Sequence, residues 1–167
     1  MSIDYRKSQM VKLNKTIPVR YIIRGYYVQL NQATDYAFRA LLHLANLPPG
    51  SIVSTQKLAA SEAIPPRFLQ KITRPLSKAG LIRSHRGAEG GFALVRPAAE
   101  ISLLDIVTAM EGKVVVHRCL EERDACNKHC TEECPVHATL ARLQDQLVDG
   151  LRQANLAALL AEKKRRN

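Results

Sequence analysis

Four cysteines, Cys119, Cys126, Cys130 and Cys134, stand within 16 residues of a 167-residue chain that holds no others. Random placement rarely clusters thiols this tightly. In a reducing compartment such a quartet binds metal or does redox chemistry more often than it forms structural disulfides. Thiolates are soft, strongly donating ligands, so three or four converging on one point suit an iron–sulfur cluster or a tetrahedral zinc ion. Spacing leaves both open. Cys126 and Cys130 form a C-x3-C within the range of zinc sites, but the two separated C-x2-C pairs of a zinc ribbon are missing. Five acids against two bases, Arg123 and Lys128, lie between Cys119 and Cys134. That balance disfavours folding of the segment until a cation or cluster binds.

The rest of the chain has the opposite sign. It carries 25 Lys+Arg against 15 Asp+Glu, a formal +10, and the surplus belongs to the first 100 residues. Between Arg67 and Arg96 lie seven bases and a single acid, Glu89. Such a patch attracts a polyanion and releases its condensed counterions. On charge alone, a solvated basic face accounts for it equally well.

The elements that position these groups are written as apolar periods. Leu30, Ala33, Ala37, Leu41, Leu44 and Ala45 recur at three- and four-residue steps and predict a helix from about Asn31 to Asn46, stopped by Pro48-Pro49-Gly50. Ser54 is an N-cap for a short helix, Thr55 to Glu62. Pro65-Pro66 then opens a second, with Phe68, Leu69, Ile72, Leu76 and Ala79 on its apolar stripe and Gly80 at C′. Two short helices with a tight turn make a helix-turn-helix. Arg67, Gln70, Lys71, Arg74 and Lys78 fall on the exposed face of the second, where Arg and Lys reach guanine or phosphate and Gln pairs with adenine in a major groove. Pro75 interrupts the pattern and predicts a kink, or a last turn that begins there. Leu81 to Arg86 and Gly91 to Arg96 predict a hairpin, the wing of a winged helix, placing Arg83, His85 and Arg86 toward the backbone or minor groove. Ser54, Thr55, Gln56 and Pro66, at the starts of the two helices, complete the expected DNA-contacting set.

Ser102 and Asp105 begin a helix through about Glu111 in capping-box fashion. After the cysteine loop, Val136, Leu140, Leu143, Leu147, Leu151, Ala154, Ala158 and Ala161 predict one helix of about 25 to 28 residues, rising roughly 40 Å. That length exceeds what one small domain covers, so it is expected to pack on its equivalent in a second subunit; an intramolecular core helix is the other use of such a stripe. Lys163-Lys164-Arg165-Arg166 ends it as a basic tail suited to the helix dipole.

The sequence also excludes classes. No run approaches the ~18 apolar residues of a membrane span, and Arg20 and Arg24 interrupt the only apolar stretch near the N-terminus, so no secretory signal is expected and the protein reads as cytoplasmic. His43, His85, His117, His129 and His137 are accompanied by no serine elbow, nucleotide loop or HExxH helix, so no catalytic residue and no small-molecule substrate are assigned. Three Phe and five Tyr, most of the latter before residue 28, offer no aromatic platform for single-stranded RNA.

Three segments, LNQATDYAFRALLHLA at 30 to 45, IPPRFLQKITRPLSKAGLIRSHRGAEGGFAL at 64 to 94, and the loop ending in CPVHATL at 134 to 140, resemble the bacterial winged-helix transcriptional regulators that include IscR, NsrR, RirA and CymR. Members usually begin where Val28 stands, making residues 1–27 an addition or a mis-assigned start. The resemblance implies a mainly α fold with a small β wing: a winged helix-turn-helix at 28–112, a cysteine-rich loop at 113–135, and a dimerisation helix with its tail at 136–167. It implies a homodimer on double-stranded operator DNA, and an iron–sulfur cluster, 2Fe–2S or 4Fe–4S, on three loop cysteines. Here those are Cys119, Cys126 and Cys134, with Cys130 an extra candidate. The fourth ligand is His137 by analogy with the IscR type or, by analogy with the NsrR type, in which a carboxylate of the partner subunit's first helix serves, Asp35. The alternative is a zinc-binding or cluster-free regulator responding to a metabolite or a partner protein.

Overall fold

A computed structural model of the chain describes residues 30–87, 90–122, 125–128 and 132–166. The N-terminal extension, Glu89, His129 and Cys130 lie outside these residues. Among the described residues, six α-helices and one two-stranded antiparallel sheet follow in the order α1 (Gln32–Ala45), α2 (Thr55–Ser61), α3 (Pro66–Lys78), β1 (Ile82–His85), β2 (Gly91–Leu94), α4 (Leu103–Glu111), α5 (Pro135–Gln153) and α6 (Leu156–Arg166). Among the described residues no helix is long and apolar enough to cross a membrane.

α1 starts where its sequence can cap it. The Asn31 side chain accepts from the Thr34 N–H, and the Asn31 backbone and amide nitrogens donate to the two Glu111 carboxylate oxygens at 2.9 and 2.8 Å. The fully buried Thr34 hydroxyl donates to that same carboxylate. The first turn of α1 is thereby locked to the last residue of α4. Behind it sits the core, in which Leu41, Leu58, Ile64, Leu69, Ile72, Leu76, Leu81, Ile101, Ile106 and Leu156 are almost wholly withdrawn from water. Each such side chain contributes about 1.5–3 kcal/mol of transfer free energy.

Ser54 caps α2 by accepting from the Lys57 N–H, and the turn into α3 bends through Ala63 at φ 51°. A left-handed residue is required there and alanine supplies it without glycine's freedom, at a cost of about 1 kcal/mol. α3 begins with Pro66 at N1 and continues unbroken through Pro75. Its last turn closes with the Ala79 N–H donating to the Pro75 carbonyl at 2.9 Å, and Gly80 takes φ 69° just beyond.

The hairpin pairs Ile82 with Leu94, Arg83 with Ala93, Ser84 with Phe92 and His85 with Gly91. Val53 adds a third rung on the far side of β2: its N–H donates to the Phe92 carbonyl at 3.0 Å, and the Phe92 N–H returns a bond at 2.9 Å. The residue preceding the N-cap of α2 is thus stitched into the wing. α4 opens with the expected capping box, Ser102 and Asp105.

The C-terminal segment corrects one expectation. In place of a single helix of 25 or more residues, the chain forms α5 of 19 residues, about 28 Å long, then breaks. Leu103 donates to the Ala154 carbonyl and Leu156 to the Ile101 carbonyl, at 2.8 and 3.0 Å, so residues 154–156 run extended beside 101–103. Asn155 then caps α6 by accepting from the Ala158 N–H at 2.9 Å. Fully buried Leu156 is the anchor: inserting it into the core stabilises the break more than continuing the helix would, and α6 folds back against α1.

Candidate nucleic-acid interface and cysteine loop

On α3 the buried positions Leu69, Ile72 and Leu76 face the core. Arg67, Gln70, Lys71 and Arg74 therefore line the opposite face at helical spacing, and all four are exposed, as is Pro66. Phe68 sits between the faces. The Arg67 guanidinium lies 5.4 Å from its ring centroid and the Lys71 ammonium 5.6 Å. The same ring meets Tyr36 of α1 edge-on, with centroids 5.2 Å apart and an interplanar angle of 66°. Arg39 covers Tyr36 at 5.4 Å and pairs with Asp35 one turn earlier. Sequence reasoning placed Phe68 on the apolar stripe only; a bulky aromatic flanked by cations at i−1 and i+3 was the available sign of this second use.

At the start of α2 the Ser54 hydroxyl is occupied as a cap, Thr55 is half-buried and Gln56 exposed. On the wing Arg83 and Arg86 are exposed and His85 is half-buried. The cations of the helix face and of the wing are exposed and can meet phosphates without desolvation of buried charge.

The cysteine loop joins α4 to α5. Cys119 lies in a single 3-10 turn, Arg118–Leu120, and its N–H donates to His117 Nδ1 at 3.3 Å. The Val116 N–H donates to Gln144 Oε1 at 3.0 Å, tying the loop to the middle of α5. Cys126 is half-buried. Cys134 is the N-cap residue of α5 and makes no side-chain cap bond. His137 follows within the first turn, its Nδ1 buried and without a hydrogen-bond partner among the described residues. A buried imidazole nitrogen left unsatisfied is costly, and a ligand bond would satisfy it. Asp35, the other candidate fourth ligand, stands on α1 with its carboxylate engaged by Arg39. Among the described residues no three of His, Cys, Asp and Glu stand close enough to share a metal ion. The donor chemistry suits a thiolate-bound centre; Cys134 and His137 stand three positions apart at the start of α5, and among the described residues no group of three donors forms.

Comparison with known proteins gives these features a common setting. Residues 30–162 match the model of the Rrf2 family, described as iron-dependent transcriptional regulators. An HTH-type transcriptional regulator of Mycobacterium tuberculosis is 42% identical over 85 residues, 51% of this chain and 53% of that protein, so the chain spans about half the length of the curated relatives it matches. The crystal structure of oxidised Staphylococcus aureus CymR superposes with a TM-score of 0.59 at 29% identity, covering 78% of this chain and 94% of that one. T. potens IscR shares the fold, with a TM-score of 0.64 at 22% identity over 81% of this chain and 88% of its own. The helix-turn-helix, its hairpin wing and the 133-residue match from Leu30 to Glu162 establish that the chain belongs to the Rrf2 family of winged-helix, DNA-binding transcriptional regulators, which are not enzymes.

Proposed function

We propose that this chain is a dimeric, cytoplasmic regulator whose affinity for double-stranded operator DNA is set by an iron–sulfur cluster in the 119–134 loop. The observation that carries the reading is Cys134, which makes no side-chain cap bond at the start of α5, followed three positions on by His137, whose buried Nδ1 has no hydrogen-bond partner among the described residues. Cys119, Cys126 and Cys134 would supply thiolates, with His137 or Asp35 as the fourth ligand and Cys130 in reserve. Once bound, a cluster supplies covalent cross-linking of the loop and a charge that changes with iron, oxidant or nitric oxide.

The protein's own part is linkage. The loop leaves α4 one residue after Glu111, whose carboxylate holds Asn31 and Thr34, and it enters α5 directly. α5 has no buried residue, and Val136 and Leu143 are 63% and 48% exposed. A second copy packed on that face would set the separation of two recognition helices, which must reach half-sites about 34 Å apart. A hundredfold change in affinity requires about 2.7 kcal/mol of differential binding between the two loop states.

Protein prepared without air is expected to be brown and to contain iron and acid-labile sulfide. A colourless preparation with stoichiometric zinc and no iron would overturn the cluster. The second reading, a cluster-free or zinc-binding regulator answering a metabolite or partner protein, draws on the same cysteines for zinc or on none of them, and metal analysis of the same preparation decides between them.

The DNA surface has its own test. Arg67→Ala or Lys71→Ala should cost about 1–3 kcal/mol on the preferred duplex and relax sequence preference. Arg86→Ala should weaken all duplexes alike and lower the salt slope by about one. Equal losses on specific and random duplexes for all three would remove base readout from α3.

A further inference from the structure

We propose that Phe68 is a positioning residue for DNA recognition: its ring, braced by Tyr36, sets the directions in which Arg67 and Lys71 leave α3. The proposal rests on the reading of α3 as the helix that enters the groove. Both cations lie within the ~6 Å at which a ring quadrupole attracts them, at 5.4 and 5.6 Å. Phe68 itself is not free to turn. Tyr36 meets it edge-on at 5.2 Å, and Tyr36 is fixed in turn by burial, by Arg39 over its face, and by a hydroxyl that accepts from Gln32 Nε2 at 3.0 Å.

This arrangement suits readout because a guanidinium resting on a ring keeps its in-plane N–H donors available for the two acceptors of guanine. Long cationic side chains otherwise lose much rotamer freedom on binding, and a contact made before DNA arrives reduces that loss. A leucine would fill the same half-buried space but has neither a quadrupole nor a flat face. Helix α1, which carries none of the assigned DNA contacts, then takes part in recognition through Tyr36.

The test uses the full-length protein, a duplex selected from a random library by the parent protein, and a scrambled duplex of equal length. Phe68→Leu is expected to weaken binding to the selected duplex about tenfold, the order that two such contacts are worth, and to leave the scrambled duplex within about twofold. Phe68→Tyr should restore most of the loss. In an Arg67→Ala/Lys71→Ala background the leucine change should add nothing, an outcome that a purely structural role would not produce. Thermal unfolding checks each variant, and Phe68→Met replaces the leucine form if that loses helix content. Undiminished selective binding by Phe68→Leu, or the same tenfold loss in the cation-free background, would overturn the proposal. Should the Arg67→Ala/Lys71→Ala protein itself keep full preference for the selected duplex, the groove-reading role of α3 falls and this inference with it.

Discussion

Replacing Cys119 and Cys134 together by serine is expected to strip the protein of iron and sulfide while leaving its helices intact. Neither residue belongs to the core: Cys119 sits in a 3-10 turn of the loop and Cys134 at the N-cap of α5. Serine is among the best N-cap residues, because its hydroxyl accepts from the N–H two or three positions on; the change at 134 should keep or add up to about 1 kcal/mol of helix stability. Lost function in this variant cannot then be assigned to unfolding of α5. What goes is the soft, anionic donor set, for which an alcohol is a poor substitute. Visible absorbance and iron content should fall to background. The parent's change in operator affinity between iron-replete and iron-stripped protein, expected to be tenfold or more, should shrink to none. Far-ultraviolet circular dichroism, metal analysis and titration of the selected duplex measure the three quantities. A double-serine protein that still loads iron, or still responds to its removal as the parent does, would refute the assignment of the loop.

Gly91→Ala is expected to produce the largest loss of stability from one methyl group. A Cβ at that position would stand 2.1 Å from the Val53 carbonyl oxygen, 2.5 Å from its carbonyl carbon and 2.9 Å from Ser54 Cα. All three are backbone atoms and cannot swing aside. Relief requires β2 to part from Val53, which sacrifices both hydrogen bonds between Val53 and Phe92 and displaces Ser54, the cap of α2. Overpacking ordinarily costs about 1–3 kcal/mol; with backbone as the obstacle, about 3 kcal/mol is expected. For a domain near this size that lowers the thermal midpoint by roughly 10 °C. The wing and the entry to the helix-turn-helix share this seam, so DNA affinity should fall alongside stability. An alanine protein with the parent's unfolding midpoint would show that the seam is looser than the structure has it.

How far the chain could be read before its structure depended on how far apart the interacting residues lie. Features settled within one helical turn were legible: Ser54 as a cap, the Ser102–Asp105 box, Pro66 at N1, Gly80 beyond α3, and the buried stripe of Leu69, Ile72 and Leu76 opposite the arginines. Each depends on neighbours three or four residues away, so local sequence carries it. The quartet of thiols was legible for a different reason, since its chemistry is intrinsic to the residues.

Other features depended on partners far along the chain. The three- and four-residue apolar spacing runs without a fault from Val136 to Ala161, yet the helix stops at Gln153, because Leu156 gains more from the core and its backbone pairs with Ile101. Val53 joined β2, Glu111 took hold of Asn31 and Thr34 across 80 and 77 positions, and Phe68 settled against Tyr36, none of which any period announces. The amino-acid order by itself determined the exposed basic face of α3, the hairpin that follows it and the clustering of four thiols in one loop, because propensity, capping and residue chemistry act locally. The tertiary structure alone decided where the C-terminal helix breaks, which cations rest on an aromatic ring, and how the end of α4 is tied to the first helix, because those outcomes follow from burial and pairing between segments that meet only once the chain has folded.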